Sequence, residues 1–422
     1  MTQHQTVLLL LDLSLILLVA QLAGRVARAL GQPAVIGELV AGILMGPTLF
    51  HGAVSTALFP ADIQPYLSAL ANVGLVLFMF MVGLEFDFTR LRGFGRVTGV
   101  TALSSALVPF ALGVLLALHL LTSHRSADDL GFVLFFGVAM SITAFPVLAR
   151  ILVDRSMNKT LVGSLALSAA AVCDLAAWAM LALVQTLVGG NGSGPWRTAL
   201  IVPFAAFLVL VVRPLFRRLL IRGGRAVPVT LSGFVIALSC LFASAAVTEL
   251  LGLHLVFGAF LFGLVIPREA TERAREDLLK HTQTGMAFLL PVYFVVAGLK
   301  VDLGSLGAGA LLELSLILAV AIIGKGTGTY AAARLQGMTS RHSTVLAALM
   351  NTRGLTELVV LGVGLQLGLL DEGLYAQMVI MAIVTTSMAG VLLRLLDGRK
   401  HRDPDESTAK AAAATSDPVD SR

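Results

Sequence analysis

Leu161-Val-Gly-Ser-Leu-Ala-Leu-Ser-Ala-Ala-Ala-Val-Cys-Asp-Leu-Ala-Ala-Trp-Ala-Met-Leu-Ala-Leu-Val-Gln-Thr-Leu-Val188 is apolar or small almost throughout, and its only charged residue is Asp174. About 20 apolar residues suffice to cross a bilayer as a helix, so this run is long enough to span. A carboxylate near the middle of such a segment costs roughly 2.5–3.5 kcal/mol on insertion scales, a cost tolerated where the acid holds a partner, a proton or an ion. The rest of the chain has the same character. Its 422 residues are 57% hydrophobic and 13% charged, with a mean hydropathy of +0.89. Soluble domains are about a quarter charged. An all-α polytopic membrane protein follows. The net charge of +5 is read as topology rather than as a nucleic-acid footprint. Cys173 and Cys240 both fall in predicted spans, which argues against a disulfide framework. The N-terminal apolar run lacks a basic flank and a small-residue cleavage site, so it reads as the first span.

Cutting the chain at its polar breaks gives about 13 runs: 6–24, 33–50, 66–86, 97–121, 130–152, 160–188, 196–220, 227–248, 252–266, 282–300, 308–333, 343–368 and 373–396. The basic residues test this division. Of the 30 Lys and Arg residues, nearly all fall in alternate loops, beginning with Arg25 and Arg28, or in the tail from Arg394. The intervening loops hold only Arg125, Arg197 and Lys300. The positive-inside rule then places the N-terminus outside and the C-terminus in the cytoplasm, as expected of a bacterial inner or plasma membrane protein. Two basic residues remain, Lys325 and Arg353, and both lie inside spans.

Two spans are interrupted. Ser141-Ile-Thr-Ala-Phe-Pro146 breaks the fifth, where Pro146 lacks a backbone donor and disfavours helix at the residue before it. Asn351-Thr-Arg-Gly354 breaks the twelfth. Interrupted helices at corresponding places in two halves point to a transporter site. With 196–220 as a linker helix, the repeats run from about 6–188 and about 227–396. The single linker crossing gives them opposite orientation. The membrane domain is read as 1–397, and 398–422 as a disordered cytoplasmic tail rich in Ala, Ser, Asp and Pro.

Broken backbone at membrane depth must line a cavity or be buried in protein. Its free carbonyls and helix ends become ion ligands or aimed dipoles. A monovalent cation takes oxygen ligands, which Asp174, the Thr143 hydroxyl and nearby carbonyls offer. A single carboxylate shared by proton and cation makes the two compete, which is antiport. Arg353 reads first as an organiser of the second break, Glu357 as its i+4 salt-bridge partner, and Thr143 equally as a half-helix cap. A gated K+ efflux pathway and a sodium-coupled organic-solute symporter are the alternatives. The absence of a long regulatory tail argues against the first, Lys325 weighs against the second, and no cofactor or enzymatic chemistry is implied.

At these residues the sequence resembles the cation:proton antiporter 2 family, above all plant cation/H+ exchangers and their bacterial relatives. The matching stretches are 36–47, 141–152, 168–178, 256–267, 290–300 and 349–361. The resemblance implies the sodium/proton antiporter fold, with two crossed discontinuous helices in a core domain, a dimerisation domain, a homodimer and elevator-like alternating access. It implies that Asp174 binds the ion (K+ or Na+, alternating with H+), that Lys325 is the intramembrane cationic partner, and that Thr143 marks the first break. Relatives carry Asn-Asp or Asp-Asp where this chain has Cys173-Asp174. Asp-Asp members are generally electrogenic and Asn-Asp members electroneutral. Cys173, uncharged at its usual pKa of about 8.5, resembles the Asn class by charge.

Overall fold

In a computed structural model, the structure describes residues 2–48, 52–85, 96–124, 128–155, 157, 160–188, 200–222, 225–226, 229–267, 272–304 and 308–397. The predicted tail, 398–422, lies outside them. Each apolar run forms helix. The first repeat holds α1 (Gln3–Ala29), α2 (Ala34–Met45), a short α3 (Ala53–Leu58), α4 (Gln64–Glu85), α5 (Arg96–Leu120), α6 (Asp129–Ser141), α7 (Phe145–Asp154) and α8 (Leu161–Val188). A connecting helix follows: α9 (Ile201–Phe207) runs through a π turn (Leu208–Val212) into α10 (Arg213–Leu220). A two-residue-strand hairpin, β1 (Ile221–Arg222) and β2 (Arg225–Ala226), closes it. The second repeat holds α11 (Leu231–Leu250), α12 (Leu255–Val265), α13 (Glu272–Leu299), α14 (Ala308–Leu335), α15 (Ser340–Met350), α16 (Leu355–Gln366) and α17 (Glu372–Asp397).

Eight of the described helices are long and apolar enough to cross a membrane. Helix α13 begins ten residues before the predicted run at 282. Its first turns are polar, and hydropathy alone stops short of them, yet Glu272–Leu299 is continuous helix.

A twofold internal repeat is visible in the packing. Helix α1 lies on α2 as α11 lies on α12; α2 lies on α13 as α12 lies on α4; α5 packs on α6 and α8 as α14 packs on α15 and α17. Helices α4 and α5 each pack against their own counterparts, α13 and α14. Glycines permit the closest of these approaches. Gly42 meets Gly298 between α2 and α13, and Gly263 meets Gly83 between α12 and α4. A Cβ at Gly42 would collide with the Val295 carbonyl oxygen, and one at Gly263 with that of Phe80. Gly37 and Gly258 hold the equivalent places against Ala23 of α1 and Ser244 of α11. Two groups of helices result: α1, α2, α4 and α11–α13 form one, and α5–α8 with α14–α17 form the other.

Both predicted interruptions are present in the second group. Helix α6 ends at Ser141 and α7 starts at Phe145; α15 ends at Met350 and α16 starts at Leu355. The two breaks touch. The Ala144 amide donates to the Thr352 carbonyl at 3.0 Å, and the Thr143 hydroxyl donates to the Met350 carbonyl at 3.2 Å.

Candidate functional site

The four helix ends at this crossing each leave backbone groups without intrahelical partners. Where those groups turn is a complete accounting question in a buried, water-poor place.

The start of α7 faces Asp174. Pro146 occupies the first turn, where a missing N–H costs little because it would have no partner within the helix. The free amide of Phe145 donates to Asp174 Oδ2 at 3.2 Å. Asp174 is 3% exposed, at the middle of α8. A helix N-terminus carries positive dipole, so this contact favours an anion or an ion-pairing carboxylate. Asp174 Oδ1 has no hydrogen-bond partner among the described residues.

The end of α6 carries the opposite partial charge, and two cations meet it. Lys325, on α14 and fully buried, donates through Nζ to the Ser141 carbonyl and, at 3.3 Å, to the Ser105 carbonyl of α5. Arg353, also fully buried, reaches across from the second break. It donates to the carbonyls of Ala139 at 3.0 Å and Met140 at 2.7 Å. The same guanidinium donates to Glu357 Oε1 at 2.6 Å, a pair spaced i, i+4 at the start of α16. Thr386 of α17 fixes the Arg353 backbone from both sides. Its hydroxyl oxygen lies 3.2 Å from the Arg353 amide and 2.7 Å from the Arg353 carbonyl.

The remaining sequence-predicted residues fall as follows. Thr143 is fully buried at the first break, its hydroxyl bound to the second. Cys173 is buried and turned to α5, with Sγ 3.4 Å from Ser105 Oγ and 3.5 Å from the Ala102 carbonyl. Both Cys173 and Cys240 are free. Asn351 is buried in the second break, its amide bound to Ala347 and its Oδ1 without a partner among the described residues. Asp174 and Lys325 converge on one crossing, but no ion pair joins them. The lysine is satisfied by carbonyls, not by the carboxylate. Sequence reasoning misses Ser105, Thr356 and Thr386. Serine and threonine are common in apolar helices, and nothing in their spacing separates these three from the rest.

The sodium/hydrogen exchanger transmembrane family matches residues 14–396. The chain belongs to that family. It is 38% identical over 403 residues to the Na(+)/H(+) antiporter NhaS4 of Synechocystis sp., covering 93% of this chain and 98% of that one. It is 38% identical to Cation/H(+) antiporter 17 of Arabidopsis thaliana and 35% identical to K(+)/H(+) antiporter 1 of Saccharomyces cerevisiae. Those matches cover 93% and 94% of this chain, but only 48% and 47% of the plant and yeast proteins, so the exchanger spans about half their length. The solved structure of the sodium proton antiporter MjNhaP1 from Methanocaldococcus jannaschii superposes with a TM-score of 0.68 at 14% identity, covering 92% of this chain and 96% of that one. At that identity the likeness is one of fold.

Proposed function

We propose that this exchanger couples one monovalent cation, Na+ or K+, to one proton by letting both compete for Asp174. The observation that carries this reading is the carboxylate itself. It is deeply buried, anchored through one oxygen to the start of α7 and free at the other. A proton neutralises it; so does a cation, with help from uncharged oxygens. The names of the relatives, which include Na+/H+ and K+/H+ antiporters, support this exchange. Lys325 supports the one-to-one ratio. Its ammonium is committed to two carbonyls, and Cys173 brings no second acid beside it. The carriage of charge therefore rests on Asp174, with Thr143 and Cys173 as further candidates around the cation.

The wider reading takes its topology from the charge pattern, and its pairing and motion from the family resemblance. Thirteen crossings place the N-terminus outside and the C-terminus inside a bacterial inner or plasma membrane, and two copies pair as a homodimer. Alternate exposure arises as the group of helices carrying Asp174 moves against the other group.

The test is exchange in proteoliposomes, read by dequenching of an entrapped pH dye, with each cation in turn and the potential clamped. The one-to-one reading expects rates that do not respond to the imposed potential. Rates that scale with it would overturn the ratio.

A further inference from the structure

Four polar side chains of the second break and the first turn of α16 have a buried oxygen without a partner among the described residues: Asn351, Thr352, Thr356 and Glu357. Asp174 Oδ1 is the fifth such oxygen at the crossing. Of these, Thr356 is the one whose hydroxyl interacts with the Asp174 carboxylate. The backbone contacts around it bring that turn of α16 close to the head of α7. The Thr352 carbonyl is held by the Ala144 amide, and Gly354 packs onto Ala144 and Val147 at the head of α7. Asp174 holds the next amide along, that of Phe145. The first turn of α16 is therefore stacked over the same end of α7 that Asp174 caps. Thr356, 1% exposed, faces the carboxylate from that turn without closing a well-formed hydrogen bond.

The hydroxyls nearest the first break are engaged elsewhere. Thr143 donates to Met350, and Ser141 donates to Val138 at 2.8 Å. The Cys173 thiol is turned to Ser105 and Ala102. A buried hydroxyl with neither donor nor acceptor role filled is costly, and natural sites keep one where something else completes it. A hydroxyl beside a carboxylate has two uses. It donates to the ionised acid, or it turns its lone pairs toward a cation that the acid holds.

We infer that Thr356 is a ligand of the transported monovalent cation, supplied by the second broken span opposite Asp174. This rests on the reading of Asp174 as the exchange site and adds to it the oxygen from the other span. Cation binding then draws the two broken spans together, whereas protonation of Asp174 asks nothing of Thr356.

The decisive comparison uses Thr356→Val, which keeps the shape and removes the oxygen, beside Thr356→Ser, which keeps the oxygen, and Asp174→Asn. Each is reconstituted, and exchange is measured against Na+ and K+ concentration. Loss of one uncharged ligand to a charged species is worth about 1.5–3 kcal/mol, so KM for the cation should rise about tenfold or more in Thr356→Val. The maximal rate should stay near that of the wild type, and Thr356→Ser should restore KM. Thr356→Ala carries the same test if the valine variant does not reach the membrane folded. An unchanged KM in the variant lacking the hydroxyl, or a serine variant as impaired as valine, overturns the assignment. If Asp174→Asn still exchanges, the underlying reading fails instead; if it is inactive while Thr356→Val is normal, only the ligand assignment fails.

Discussion

The two broken spans occupy equivalent places in the repeats and are built differently. The first, Ile142–Ala144, brings no charged side chain of its own. The end of α6 is served by Lys325 from α14 and Arg353 from the other break, and the start of α7 is served by Asp174 from α8. The second, Asn351–Gly354, supplies its own ion pair and exports half of it: Arg353 bonds Glu357 within its own span and two carbonyls of the first. The second break therefore holds the crossing together, while the first receives groups from its neighbours. Asp174 is bonded at the receiving break, through the single Phe145 amide, rather than at the break that carries the scaffold.

The largest effect should come from breaking the exported contact. Arg353→Ala leaves Glu357 buried without its cation and strips the Ala139 and Met140 carbonyls. Losing one member of a buried pair costs about 3–5 kcal/mol. The thermal midpoint of the detergent-solubilised protein should fall sharply, and a midpoint near that of the wild type would show that the second break does not hold the crossing. Next comes the receiving break. Lys325→Ala removes the donor from the Ser141 and Ser105 carbonyls. Each unsatisfied buried group costs about 1–3 kcal/mol, so this variant should be less stable than wild type but more stable than Arg353→Ala. Equal losses in the two would erase the asymmetry.

Cys173→Asp is a smaller structural change with a distinct signature. It places a second acid beside Ser105, on the side of Asp174 where Lys325 is bonded. Exchange should then respond to membrane potential, whereas the one-to-one reading expects no response from the wild type. A variant that stays insensitive would show that Lys325 is already unavailable as a partner.

The smallest effect lies where the two broken spans meet away from their breaks. His124, four residues before the Asp128 cap of α6, bonds Asp371 at 2.5 Å and Glu313 of α14 at 3.1 Å. Asp371 follows the end of α16 and caps α17 through Leu374. The bond to Asp371, with Glu313 adding to it, raises the His124 pKa from its ordinary 6.5 to about 9. The sign follows from linkage: the charged contact stabilises fully below pH 6.5 and fades as pH rises through about 9. His124→Gln should lower the thermal midpoint at pH 6 and leave it unchanged above pH 9. A difference that persists at high pH would place the contribution in packing rather than charge.

Much of this was legible in the sequence because charge is scarce there. In an apolar chain, Asp174, Lys325 and Arg353 stand out once the loops have claimed the other basic residues. Pro146 and Asn351–Gly354 mark the breaks by removing donors or adding polar groups. The repeat is legible in the matching places of the two breaks; that Gly37 and Gly42 correspond to Gly258 and Gly263 emerges only from their helix contacts. Partner choice was not legible. Lys325 bonds backbone carbonyls, which every residue has, so no side-chain pattern announces it. Thr356 and Thr386 look like the other threonines of the apolar helices until the crossing places them. The polar start of α13 escapes a hydropathy reading because its helix outlasts its apolar stretch.

The central claim is that one carboxylate carries both ions. Asp174→Asn keeps the size of the side chain and a bond to the Phe145 amide but cannot exchange a proton for a cation. In everted vesicles or proteoliposomes, a pH dye should show no cation-dependent proton movement from this variant with either Na+ or K+, at a protein level and thermal midpoint close to wild type. Retained exchange by a folded Asp174→Asn protein would contradict the account.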